Sequence, residues 1–326
     1  MQRQVGVIVM QTKFKFNKNS SLTQKMGPLL GLGLIVIVMS IISEDFLTVS
    51  NILNVLRQIS INALIAFGMT FVILTGGIDL SVGSIVALSG AITAGAMVGG
   101  MDTGLAVALG LTAGALMGMF NGFLIAKWKV APFIATLATM TIYRGFTLVY
   151  TEGRPITGLN ESFAFVGRGY LFGIPMPIIW MLLAFGVLYV VLKYTTFGRH
   201  VYAVGGNEEA ALLSGINTSR VKVMVYGISG LLAALSGIIL TSRLNSAQPT
   251  AGGAYELDAI AAVVLGGTSL AGGRGWIVGT LIGAVIIGVL DNGLNLLNVS
   301  SFYQQVVKGG VILLAVLLDR SKARKT

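Results

Sequence analysis

Apolar runs of about 20 residues recur along almost the whole chain, and no other feature restricts its fold so strongly. A helix rises about 1.5 Å per residue and the hydrocarbon core of a bilayer is about 30 Å thick, so each run of that length with few charges is a candidate transmembrane helix. Ten such segments can be read, at 27–43, 53–75, 84–100, 104–126, 131–151, 176–194, 221–242, 258–272, 276–297 and 303–318. A length of 326 residues could hold two soluble domains, but with only 10% charged residues the chain is not built for that. The expected class is therefore all-α: a polytopic membrane protein of about ten transmembrane helices. The 44 glycines fit it, because helices in lipid associate by close backbone approach at small residues.

Charge sets the expected orientation. With the N-terminus in the cytoplasm and the segments alternating, the inner side collects Arg3, Lys13, Lys15, Lys18 and Lys25, then Lys127 and Lys129, then Lys193, Arg199, Arg220 and Lys222. Arg274 and the C-terminal Arg320, Lys322, Arg324 and Lys325 join them, most of the 22 basic residues in all. Arg57, Arg144, Arg154, Arg168 and Arg243 fall outside or near that face, and Lys308 falls within the last segment. The positive-inside rule thus explains a net charge of +10 without nucleic acid and places both termini in the cytoplasm. "VGVIVM" (5–10) is too short for a cleavable signal. Expected boundaries are a tail at 1–25, a membrane domain at 26–320 and a second tail at 321–326. Without cysteine, and with the single His200, no thiolate or histidine metal cluster is expected.

Two connections are long. Residues 152–175, expected outside, carry glycines and prolines that should break any regular element. Residues 195–220, expected inside, contain a short helix signal. Asn207 is a good N-cap, Glu208 and Glu209 occupy the first turn, and Gly215 is a natural stop.

The most unusual stretch is "ILTGGIDLSVGSIV" (73–86), a carboxylate among glycines and serines inside apolar sequence. Gly76 and Gly77 permit a helix break, and Asp79 or Ser81 can cap a helix that restarts there. Irregular backbone at membrane depth must be buried in protein or line a wet cavity, so the stretch reads both as a helix restart and as a polar element beside a solute path. "VILTGGIDLSVGS" (72–84) is weakly echoed by "VVLGGTSLAGGRG" (263–275), again between segments that return to one side. Paired Gly-interrupted segments point to a transport pathway. The candidate path or break residues are Gly76, Gly77, Asp79, Ser81, Gly266, Gly267, Thr268 and Ser269. Asp291 reads as a residue near a helix end rather than a proton relay.

Together "ILTGGIDLSVGSIVALSGA" (73–91), "AVGGNEEAALLSGIN" (203–217), "SAQPTAGGAYELDAIAAVVLGGTSLAGGRG" (246–275) and "GTLIGAVIIGVLDNGLNLL" (279–297) resemble the membrane permeases of bacterial ABC importers for monosaccharides, over about 45–319. The resemblance implies a multi-pass inner-membrane protein with broken or re-entrant helices that works as a homodimer. It also implies two partners, a cytoplasmic ATP-binding cassette ATPase and a periplasmic sugar-binding protein. The cargo would be a monosaccharide, ribose foremost, with other pentoses and hexoses open. The loop helix near 206–215 would dock on the ATPase, making Gly206, Asn207, Glu208, Glu209, Ala210, Ala211, Leu213 and Gly215 the coupling residues. ATP and Mg would be bound by the ATPase and no cofactor by this chain, which has no G-x-x-x-x-G-K-[ST] motif, so no catalytic residue is expected. An ion-coupled secondary transporter is the rival class, with Asp79, Asp291 and Lys308 as its few candidates.

Overall fold

The computed structural model describes residues 18–323. In chain order its elements are α1 (Lys18–Ile42), α2 (Val49–Leu74), α3 (Val82–Val98), α4 (Thr103–Lys127), α5 (Pro132–Thr151), α6 (Glu161–Arg168), β1 (Tyr170–Leu171) and β2 (Ile174–Pro175). There follow α7 (Met176–Tyr194), α8 (Thr196–Gly206), α9 (Glu208–Leu213), α10 (Thr218–Leu244), α11 (Tyr255–Leu265), α12 (Ile277–Leu296) and α13 (Ser301–Ala323). Each of the ten apolar segments has its helix. The chain is all-α apart from β1 and β2, an antiparallel pair of two residues each.

The helix count needs correction. Six helices, α2, α4, α5, α7, α10 and α12, are long and apolar enough to cross a membrane among the described residues. At 17 residues α3 is about 25 Å long, and at 11 residues α11 is about 16 Å, half a membrane core. These two are the broken elements. α1 begins at Lys18, so the end of the stretch expected as a tail belongs to it, while residues 1–17 and 324–326 lie outside the described residues.

Helices α2 and α10 form the buried centre. Helix α4 carries Gly110, Gly114, Gly118 and Gly122, spaced four apart along one stripe, and the last three lie on α10 while Gly110 packs chiefly against α3. A methyl at Gly122 would stand 2.6 Å from the Val223 Cα, and one at Gly118 would stand 3.0 Å from the Gly230 Cα. Side chains on that stripe would push the two backbones apart, as small-residue packing in lipid requires.

Two helices occur where the sequence suggested none. Helix α6 lies in the 152–175 connection, whose glycines and prolines flank the run 159–166 instead of interrupting it. Phe163 is fully buried beneath it, and Gly167 donates its N–H to Ser242 Oγ of α10 (2.9 Å). Helix α8 precedes the expected loop helix, with the Thr195 hydroxyl accepting from the Gly198 N–H (3.2 Å) and Val201 and Val204 buried one turn apart.

Candidate translocation and coupling site

The two echoed stretches are the same local structure. Thr75 ends α2, the Gly76 N–H donates to the Ile73 carbonyl (2.9 Å) and the Gly77 N–H to the Val72 carbonyl (3.1 Å). Gly266 ends α11, the Gly267 N–H donates to Val264 (2.9 Å) and the Thr268 N–H to Val263 (3.2 Å). Both are Schellman stops, which need a left-handed residue just past the helix, and Gly76 (φ 79°) and Gly267 (φ 86°) supply it.

The stops meet. The Gly273 N–H donates to the Leu74 carbonyl (3.0 Å), joining the second break to the end of α2. The last turn of α8 presses on the same spot: a methyl at Gly205 would lie 2.7 Å from the Gly273 nitrogen and 2.8 Å from the Leu74 carbonyl carbon. The Tyr202 hydroxyl donates to the Gly275 carbonyl (2.8 Å). One end of the bundle therefore gathers both Gly-rich breaks and the α8–α9 connection. The 152–175 connection lies at the other end, where Ile156 pairs with Ala247 beyond α10.

From this junction the chain climbs back in irregular form. At 26 residues α2 is about 39 Å long and crosses the whole core, so its stop lies at one face. Residues 77–81 can span about 17 Å, and α3 starts near the foot of α11, where Gly83 packs against Gly252. This backbone runs at membrane depth, and it is buried in protein as the sequence reading required.

Asp79 holds that segment in place. It is fully buried, with Oδ1 accepting from the Ser81 N–H (3.0 Å) and Ser81 Oγ (2.7 Å), and Oδ2 accepting from Ser229 Oγ of α10 (2.9 Å). Ser81 Oγ in turn accepts from Asn121 Nδ2 of α4 (2.7 Å). Ser81 is the N-cap of α3 by position, but its side chain makes no cap bond, and Asp79 instead closes a turn onto the Ser81 N–H just ahead of the helix. The carboxylate is a strut joining three helices. Gly76 and Gly77 instead line a 220 Å³ cavity with Glu208, Lys222 and Tyr226. Gly266, Gly267, Thr268 and Ser269 stand on the second stop, where Thr268 is buried and its hydroxyl has no hydrogen-bond partner among the described residues.

Helix α9 is shorter than the expected 206–215. Gly206 ends α8, and Asn207 caps α9 by accepting from the Ala210 N–H (2.9 Å). Glu208 pairs with Lys222 of α10 at 2.6 Å, which fixes α9 to a spanning helix. The Gly215 N–H closes the helix onto Leu212 (3.0 Å). The Ala-Leu face divides: Ala211 is buried within this chain, whereas Leu213 is 89% exposed, beside the exposed Leu212. Glu209 and Ala210 are exposed as well. Asp291 lies more than a turn inside α12, not at its end, and pairs with Lys308 of α13 (2.8 Å), which also reaches Asp258 of α11 (3.1 Å).

Such a bundle of spanning helices with paired Gly-rich breaks defines a membrane permease. Residues 51–316 match the family model described as branched-chain amino acid transport system / permease component, and the chain belongs to that family. It is 66% identical to the ribose import permease of Bacillus subtilis (strain 168), over 96% of this chain and 98% of that one. The ribose import permease of Escherichia coli (strain K12) is 52% identical over 90% of this chain and 93% of its own. The D-allose transport system permease of the same strain is 42% identical over 91% of each. No solved structure matches.

Proposed function

We propose that this chain is the permease subunit of an ATP-driven importer of the ABC type that carries ribose across the bacterial inner membrane. Its likeness over nearly the full length to permeases named for ribose import supports the cargo. The observation that carries the mechanism is the junction at Gly205, where the α8–α9 connection presses on the ends of both broken hairpins through backbone alone. An ATPase seated on the exposed Leu212 and Leu213 would move both breaks at once. Hydrolysis of ATP with Mg belongs to that separate subunit, and a periplasmic sugar-binding protein delivers the cargo to a homodimer of this chain. Both termini then face the cytoplasm, in keeping with the distribution of basic residues.

The buried group of Asp258, Lys308 and Asp291 is the feature that favours an ion-coupled transporter. Lys308 touches both carboxylates, so the group is a paired network tying α11, α12 and α13 together rather than a free proton site. Proteoliposomes holding the permease, the ATPase and ribose-loaded binding protein decide between the readings. Uptake should require internal ATP and survive collapse of proton and sodium gradients. Uptake driven by a gradient without ATP would refute the proposal.

A further inference from the structure

A second irregular segment also reaches membrane depth. Residues 245–254 run from the outer end of α10 to the start of α11, and two carbonyls there, with a third from the start of α3, find an unusual donor. Arg144, midway along α5 and not near a face as its sequence position suggested, donates Nη1 to the carbonyls of Pro249 and Ala251 (2.8 Å each) and Nη2 to that of Gly83 (3.4 Å). It satisfies backbone groups that lipid could not. Beside it opens a cavity of 350 Å³, at the small end of ligand pockets, which run from about 300 to 1,000 Å³.

Its walls have the chemistry of a binding site. Ser84 lines it from the first turn of α3, is 1% exposed and has no hydrogen-bond partner for its hydroxyl among the described residues. Glu256 lines it from the first turn of α11 and makes no ion pair among the described residues. Thr141 adds an exposed hydroxyl from α5. Two helix starts thus converge at half depth, where transporters built from discontinuous helices hold their substrates. A carboxylate and a guanidinium cannot face hydrocarbon, so this face is covered by water or by protein.

We infer that this cavity is a contact site for a neutral polyhydroxylated cargo, a monosaccharide, on its way through the permease. Glu256 accepts from sugar hydroxyls, and Ser84 and Thr141 exchange hydrogen bonds with them. Arg144 is a positioning residue, its donors largely committed to the wall. One positive and one negative group leave the site without the net charge that would trap an ion. The inference rests on the sugar-import reading above.

The test uses the full reconstituted importer. Wild-type uptake of ribose comes first, and its failure would count against the function proposed above rather than against this site. Ser84→Ala and Glu256→Gln should each lower ribose uptake about tenfold, the worth of a hydrogen bond to cargo. They should also change the ratio of ribose to deoxyribose uptake about fivefold, because the analogue lacks a hydroxyl to lose. The binding protein is common to all variants, and misfolding would lower both sugars equally. As the chain has no cysteine, Thr141→Cys gives a single label site. Ribose should slow its modification by a small neutral thiol reagent, and leucine should not. Unchanged ratios with no protection by ribose would overturn the inference, as would protection by leucine alone.

Discussion

Replacing Gly205 by alanine is the sharpest test of the junction. A methyl there would overlap the Leu74 carbonyl and stand 2.7 Å from the Gly273 nitrogen, and all these neighbours are backbone atoms that cannot rotate aside. Extra methyl groups in a packed site cost about 1–3 kcal/mol. If the two segments part, the 3.0 Å bond from Gly273 to Leu74 is lost as well, about 1 kcal/mol more. At about 2 kcal/mol the docked arrangement falls about 30-fold relative to the undocked one, since each 1.4 kcal/mol is tenfold. The neighbouring Gly206 is the control, for a methyl there meets nothing within 4 Å. ATP-driven sugar uptake, measured at equal permease levels in the membrane, should collapse in Gly205→Ala and persist in Gly206→Ala. Equal uptake in the two variants would show that the close approach transmits nothing.

Three further outcomes follow from the geometry. Asp79→Asn should keep uptake, because its oxygen can still take both Ser81 donors while its amide faces a Ser229 hydroxyl able to accept; Asp79→Leu strands buried polar groups at about 1–3 kcal/mol each and should cut both expression and uptake. Leu213→Arg should insert normally yet fail to co-purify the ATPase, whereas Ala211→Arg, buried within the chain, should lower the thermal stability of the permease alone. An impermeant thiol reagent on intact spheroplasts should modify a cysteine at Asn160 and spare one at Glu209, and the reverse pattern would invert the assigned orientation.

Periodicity and length made the spans legible, and glycine chemistry made the breaks legible. Both stops at Gly76 and Gly267 could be anticipated from local sequence because a Schellman stop depends on only six consecutive residues. The N-cap at Asn207 was legible for the same reason. The division of labour between Ser81 and Asp79 was not, since it depends on Ser229 and Asn121 from two other helices. Helices α6 and α8 were obscured by the glycines and prolines around them, although Phe163 with Val166, and Val201 with Val204, carry a helical spacing that could have revealed them. The sequence position of Arg144 suggests the outer face, because charge counts assign sides and say nothing of depth. Which of Ala211 and Leu213 faces out depends on how six residues of helix roll against α10, and sequence alone does not fix that roll.

The junction and the deep cavity are joined by one rigid piece. Helix α11 is only about 16 Å long, with its stop at Gly266 bound into the junction and Glu256 at its start beside the cavity. Its length is uninterrupted by glycine or proline, and Ala259, Ala261, Ala262 and Val263 are buried along it. Gly266 meets Gly279, and Gly283 meets Ala262, so α11 and α12 touch backbone to backbone and should move together. At its foot, Lys308 ties Asp258 to Asp291. On the proposed coupling, a force on the exposed leucines of α9 would reach Gly205 through a chain fixed by the Glu208–Lys222 pair, and then Leu74 and Gly273 with no flexible side chain between to absorb it. Tilting a short stiff helix about one end displaces its other end, which is where Glu256 lines the cavity. If the cavity is the contact site inferred above, the motion that loads the junction should change the distance between Glu256 on α11 and Thr141 on α5, and so alternately open and close it.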